Sequence, residues 1–242
     1  MITILKKEIN EFLDSLIAYV VIGIFLIGIG LLMWVFPDTN VLDYGYASME
    51  TLFSMAPYVF MFLIPAITMK SFAEEKRSGT IELLYTLPFR DIEIVTGKFL
   101  AGFLLVIFSV LPTLVYYFSL HYLGNPVGNL DSAGIIGSYI GLILLGGIFT
   151  SIGVLSSALT GNQIVSFILA AFLCFAFYAG FDSVASINIW TETSYVISQI
   201  GILSHYETLS KGLIDLSDVV YFLSMIVLFL YLTRIVLNVQ KG

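Results

Sequence analysis

The sequence predicts an all-α polytopic membrane protein with six transmembrane helices, preceded by a helix lying in the membrane interface and interrupted by one short helix in its main basic loop. Three observations predict it. Hydrophobic residues fill 59% of the 242 positions and charged residues only 11%, with a mean hydropathy of +1.00, so the chain cannot present water with a polar surface on all sides. Six apolar stretches approach the roughly 20 residues that a helix needs to cross hydrocarbon with every backbone amide satisfied internally. Nine of the ten Lys and Arg residues fall on one side of the resulting six-span arrangement, as orientation by basic loops requires.

Residues 1–15 place Leu5, Ile9, Phe12 and Leu13, continuing to Leu16, at helical spacing, with Lys6, Lys7, Glu8, Glu11 and Asp14 on the other side. That pattern describes an amphipathic interfacial helix; a plain extension of the first span is the alternative. The first span, 16–36, is too long for the apolar core of a secretory signal and ends in Phe36-Pro37-Asp38 without a small-residue cleavage site, so it reads as retained. The remaining spans are expected at 51–69, 99–120, 133–159, 165–181 and 219–236. Pro57 and Pro65 in the second and Pro112 in the third predict kinks, with the freed carbonyls satisfied by neighbours. The fourth is dense in small residues: Gly137 with Gly141, Gly146 with Thr150, Gly147 with Ser151, and Gly153 with Ser157 are each four apart. Such a face packs closely on another helix, inside the subunit or across a dimer.

Lys6, Lys7, Lys70, Lys76, Arg77, Arg90, Lys98, Arg234 and Lys241 share one face, and Lys211 alone lies on the other. An odd number of spans would scatter them. The rule that basic loops stay inside then puts both termini and the 70–98 loop in the cytoplasm. The opposite face carries Asp38, Asp43, Glu50, Asp131, Asp182, Glu192, Glu207, Asp215 and Asp218, either an attraction for cationic partners or a solvated acidic rim. A net charge of −7 argues against nucleic acid as a partner.

The inventory also excludes several activities. No ionisable residue stands near the middle of a span, where ion-coupled carriers place one. His121 and His205 are the only histidines and both fall near span ends, which removes a histidine-rich metal site and the buried histidine of a serine intramembrane protease. Cys174 has no partner for an internal disulfide. Gly97-Lys98 has Ile92 where a phosphate-binding loop needs its first glycine. No catalytic residue and no cofactor of its own are expected, and the energy must come from elsewhere.

The informative segment is the 70–98 loop, which with its flanks reads MKSFAEEKRSGTIELLYTLPFRDIEIVTGKFL. Gly79 should break the extension of span two. Residues 80–87 then offer a short amphipathic helix with Ile81, Leu84 and Tyr85 on one side and Glu82 on the other, stopped by Pro88, and Asp91 is placed to cap span three. A short helix between charged clusters suits docking into a groove of a soluble partner; a loop that merely snorkels its charges is the other reading.

The run Glu74-Glu75-Lys76-Arg77-Ser78-Gly79-Thr80-Ile81-Glu82-Leu83-Leu84, then Leu87-Pro88 and Gly97-Lys98, resembles the EEKRxGTxELLxxLP…GK pattern of ABC-2-type ABC transporter permeases. The stretch Ser204-His205-Tyr206-Glu207 to Asp215, with Asp218 and Tyr221-Phe222, is similar to the HxExxxxGxID…D…YF stretch ahead of the family's last span. Within the family the chain looks nearest to the gliding-motility-associated permease subunit of the GldF type. The resemblance implies the ABC-2 permease fold in a bacterial inner membrane, with two six-span subunits pairing as a homo- or heterodimer. It implies a separate nucleotide-binding ABC ATPase that consumes ATP and Mg, and a re-entrant hairpin that residues 182–218 would supply, with Trp190, Tyr195 and Tyr206 as interface anchors; an ordinary surface loop is the alternative for that stretch. It assigns coupling to the ATPase to Glu74, Glu75, Lys76, Arg77, Gly79, Thr80, Ile81, Glu82, Leu84, Leu87 and Pro88. The function implied is an exporter permease linked to gliding motility. A mechanical or assembly component driven by the same ATPase without solute flux is the alternative; a passive channel is disfavoured because no polar stripe runs through the spans.

Overall fold

The computed structural model describes every residue except Tyr44, Leu87, residues 187–193 and Gly242. Helix α1 (Ile2–Leu13) turns by 68° into α2 (Leu16–Trp34). There follow α3 (Glu50–Thr68), α4 (Ala73–Arg77), α5 (Ile81–Thr86), α6 (Asp91–Val110), α7 (Leu114–Leu123) and α8 (Ser132–Leu159). The chain closes with α9 (Gln163–Phe175), α10 (Phe181–Ala185), α11 (Ser194–Ile200), α12 (Ile202–Ser210) and α13 (Leu216–Lys241). Among the described residues, five continuous runs, Glu50–Arg77, Asp91–Leu123, Ser132–Leu159, Gln163–Ala185 and Leu216–Lys241, are long and apolar enough to cross a membrane, and there are six if the bent N-terminal pair counts as one span. The fold is all-α and polytopic.

The helices outrun the apolar stretches that mark them. The third begins at Asp91 rather than 99, the fifth continues through a π-helical turn at Ala176–Gly180, and the sixth starts at Leu216. Backbone hydrogen bonding is indifferent to polarity once a helix reaches headgroup level, so hydropathy marks the hydrocarbon crossing and not the helix. Side-chain caps appear where a short polar residue precedes a span: Asp131 Oδ1 accepts from Gly134 N at 3.0 Å, and Asn162 Oδ1 accepts from Ile164 N at 2.9 Å. The start of α6 differs from expectation. Arg90 occupies the cap position and donates its backbone N–H to Glu93 Oε2 at 3.1 Å, while Asp91 is engaged by Lys241.

Helix α8 is the axis of the bundle, with 83% of its apolar window buried, and α3, α6, α9, α12 and α13 pack around it. Its glycines are spent on different neighbours. A methyl group at Gly141 would lie 2.7 Å from Leu209 Cβ, one at Gly146 2.7 Å from Val106 Cγ1, and one at Gly147 2.8 Å from Ile226 Cδ1. The small-residue face is therefore the seat of α12, α6 and α13 within one subunit. The outward sides of α9 and α13, including Ile164, Ile168, Phe172 and Val227, are exposed and apolar, as a lipid-facing surface must be.

Pro57 has no N–H to offer the carbonyl four residues back, Phe53. Tyr206 supplies the donor: its hydroxyl lies 2.6 Å from Phe53 O in a buried setting. Tyr206 is thus not an interface anchor, because at 2% exposure it is held inside the bundle by the kink it completes. Trp190 and the side chain of Tyr195 lie outside the described residues. Between the run that ends at Ala185 and the start of α13 at Leu216, the described helices are α11 and α12, neither long enough to cross. His205 ties α12 to the last span, with Nδ1 2.6 Å from Asp218 Oδ1, Nε2 3.0 Å from Gln199 O, and the ring stacked 3.9 Å from that of Tyr221.

Candidate functional site

The residues assigned to coupling sit at the basic end of the bundle, where α1, α4 and the start of α6 meet. After α3 ends at Thr68 the chain breaks, and the first amides of α4 need acceptors. Ser157 of α8 serves two of them: it accepts from Phe72 N at 2.9 Å and Ala73 N at 3.0 Å and donates to Met69 O at 3.0 Å, while Glu74 N reaches Lys70 O at 3.3 Å. Lys76 donates to Ala158 O, the carbonyl that Gln240 Nε2 also reaches at 3.3 Å. The loop is therefore fastened to the end of the central helix. Gly79, at φ +73°, makes the left-handed turn between α4 and α5 that a side chain would resist.

Beneath α4 lies a three-helix ion cluster. Lys98 of α6 is 1% exposed at its side chain, with Nζ 2.7 Å from Glu8 Oε1 of α1 and 2.9 Å from Glu75 Oε1 of α4. The ammonium also stands 5.1 Å from the centroid of the Phe72 ring. Lys7 approaches from the open side, 3.3 Å from Glu75 Oε1, 3.5 Å from Glu8 Oε1 and 3.2 Å from Glu11 Oε1. Partial burial works against the Lys7 ammonium, but Glu8, Glu75 and Glu11 outweigh it and hold its pKa above the ordinary lysine range. Buried charges are tolerated only when paired and hydrogen-bonded, so the cluster holds its three helices in one register. Gly97 lets α1 approach, since a methyl there would come 3.0 Å from Ile4 Cγ2.

The eleven assigned residues do not share one environment. Glu74, Arg77, Thr80, Glu82 and Pro88 are exposed. Glu75 and Lys76 point inward, to Lys98 and Ala158 respectively. Leu84 is 9% exposed and belongs to the core, Ile81 is half-buried, and the outward apolar residue of α5 is Leu83 at 66% exposure. The outer surface of α5 is thus Glu82, Leu83 and Thr86; Leu87 and the side chain of Tyr85 lie outside the described residues.

Three functional groups escape the sequence reading. Glu8 takes its place among the polar residues of α1 by composition, yet it is 4% exposed and forms the inner stripe with Ile4, one turn earlier. Lys98 looks like one more basic residue of a cytoplasmic loop; its partners are 90 and 23 residues away. Ser157 reads as a packing residue of span four, and its hydroxyl acts on backbone 85 residues distant. The Ile4–Glu8 spacing, a charge placed one turn from an apolar residue, is the one local signal that pointed this way.

A multi-pass helical bundle with a fastened loop and a short helix at its basic end places the chain among polytopic membrane proteins. Residues 2–240 match the family described as ABC-2 family transporter protein, and the chain belongs to that family. No individually curated protein matches the sequence. The chain is accordingly a multi-pass permease subunit of an ABC transporter, a family whose members work with an ABC ATPase and often with a second permease.

Proposed function

We propose that α4, Gly79 and α5 form the contact through which a separate nucleotide-binding ABC ATPase drives this permease. The observation that carries the reading is the construction of the loop: α5 presents Glu82, exposed Leu83 and Thr86 outward, while α4 just before it is pinned to α8 through Ser157 and to α1 and α6 through Lys98. A push on α5 is passed to three helices together rather than absorbed by a slack linker. The basic end then faces the cytoplasm of a bacterial inner membrane, with both termini inside, in keeping with its Lys and Arg residues.

The chain works as one half of a permease pair, a homodimer or a pairing with a different permease, and ATP with Mg is used by the partner ATPase. The likeness of its loop to the gliding-motility-associated type supports an exporter serving surface movement. Proteoliposomes containing the permease pair and the ATPase test this directly: nucleotide-dependent flux of a labelled envelope precursor supports the reading. Brisk ATP turnover with no flux of any solute would move the balance to a mechanical component.

A further inference from the structure

The last carbonyls of α11 have no donors within the helix, as at any helix end, and three side chains from outside it supply them. The Ser204 hydroxyl donates to Ser198 O at 2.8 Å, His205 Nε2 lies 3.0 Å from Gln199 O, and the Tyr221 hydroxyl donates to Ile200 O at 2.6 Å. Of the three, histidine alone is the side chain that changes charge in the physiological pH range. Its other nitrogen faces a second acceptor: Nδ1 is 2.6 Å from Asp218 Oδ1, in the first turn of α13, and the two side chains are only 12% and 9% exposed. The Thr208 hydroxyl stands at Asp218 Oδ2, and the ring lies flat on Tyr221. No further ion pair to the ring forms among the described residues. Glu207 pairs with Lys211 at 3.7 Å, Asp215 Oδ1 accepts from Ser217 N at 3.1 Å, Asp182 of α10 is exposed, and Tyr206 turns its hydroxyl to Phe53 O.

A backbone carbonyl and an ionised carboxylate can only accept, so both contacts of the ring are hydrogen bonds only if the pair carries a proton between Nδ1 and Oδ1 in addition to the one on Nε2. Whether that proton rests on the ring or on Asp218, the count is the same. A neutral ring beside an ionised Asp218 can donate to the carboxylate or to Gln199 O but not to both, and its other nitrogen then turns a lone pair on an oxygen. The carboxylate is the stronger acceptor, so Gln199 O is the contact given up. We infer that His205 and Asp218 form a proton-dependent latch that holds the end of α11 to α12 and to the last span. The complete set of contacts belongs to the protonated pair, so the latch is closed at low pH and opens at Gln199 as rising pH removes the shared proton. His205 precedes Tyr206, which completes the span-two kink, so the latch acts on the helix that carries that bond. The inference rests on the fold and stands apart from coupling to an ATPase.

Amide hydrogen exchange across α11, measured on the intact protein in nanodiscs from about pH 5 to about pH 9, tests it. Each variant is compared with wild type at the same pH, so that intrinsic exchange rates cancel. Against His205→Gln, which cannot titrate, wild-type α11 should exchange about tenfold more slowly at the acid end, the effect of one charge-assisted hydrogen bond, and equally fast at the alkaline end. Asp218→Asn should instead stay slow throughout, because its amide can donate to Nδ1 of a neutral ring while Nε2 remains on Gln199 O. His121→Gln, at the other histidine, should follow wild type at every pH. Should His205→Gln fail to fold, the comparison of wild type with Asp218→Asn gives the same reading. Protection of α11 that does not change with pH overturns the latch. So does an Asp218→Asn protein that loses protection along the wild-type profile, or a profile that disappears with His121→Gln.

Discussion

The Tyr206 hydroxyl donates to the carbonyl of Phe53 across 153 residues of sequence, at 2.6 Å and out of reach of solvent. The bond exists because Pro57 left that carbonyl without its helical partner. It makes α12 a structural part of the span-two kink, so that movement of one is felt by the other.

Tyr206→Phe removes the donor and nothing else. The orphaned carbonyl should cost about 1 kcal/mol, at the low end for buried groups because hydrogen bonds in membrane bundles average less than in water-soluble cores. A thermal melt of the detergent-solubilised protein that coincides with wild type would show that the kink finds another donor.

Lys98→Met removes the buried cation between Glu8 and Glu75 and leaves them only Lys7, which reaches both from the open side. Losing the shared partner of such a cluster should destabilise the fold by about 3 to 5 kcal/mol, and Glu8→Gln added to it should recover part of that loss. Chemical denaturation of single and double variants forms the cycle. Strictly additive effects would mean that the two side chains do not interact.

Gly79→Pro forces φ to about −65° where the chain needs a positive value, and Gly79→Ala should cost about 1–2 kcal/mol in the left-handed turn. With the ATPase subunit reconstituted, the proline variant should insert normally yet separate ATP turnover from transport. Unchanged coupling in that variant would remove α4 and α5 from the path of the stroke. Glu75→Lys is a poorer probe of the same idea, since it sets a third ammonium beside Lys7 and Lys98 and attacks the joint itself.

Leu83 and Leu84 are neighbours with opposite fates, and the pair separates docking from folding. Leu83→Glu should weaken association with the ATPase subunit by about tenfold, as loss of a central apolar contact does, with stability unchanged. Leu84→Glu should lower stability by burying a carboxylate at a core position. Photo-crosslinkers at both positions, read by mass spectrometry in native membranes, should capture the ATPase from 83 and not from 84.

Gly141→Ala places a methyl 2.7 Å from Leu209 Cβ, where α12 rests on α8. Overpacking of this kind should cost about 1–3 kcal/mol and loosen α12. Faster hydrogen exchange across α12 in the variant would follow; identical exchange would show that the two helices part without strain.

Much of this architecture was legible in the chain because a bilayer imposes its demands locally. Twenty apolar residues, a proline, or a lysine at a loop are each sufficient signals, and the apolar stretches and the break at Gly79 followed from them. The sequence pattern proposed a coupling segment but did not say which of its side chains would face outward. The pattern around residues 80–87 named Ile81 and Leu84 as the docking side, yet a helix of six residues has too few turns for periodicity to say which side the bundle will claim. The packing of α5 against the core decided it, and Leu83 was left outside.

By itself the sequence determined that this protein lives in a membrane, where its apolar stretches lie, and which loop gathers charge, because hydrophobicity and helix breaking act residue by residue. Tertiary structure alone decided that Lys98 is a buried keystone between Glu8 and Glu75, that Ser157 seals the broken helix, and that Tyr206 completes the bend at Pro57. Each of these is a polar group removed from water. The partner that makes such burial tolerable may come from anywhere in the chain, which no local pattern of residues records.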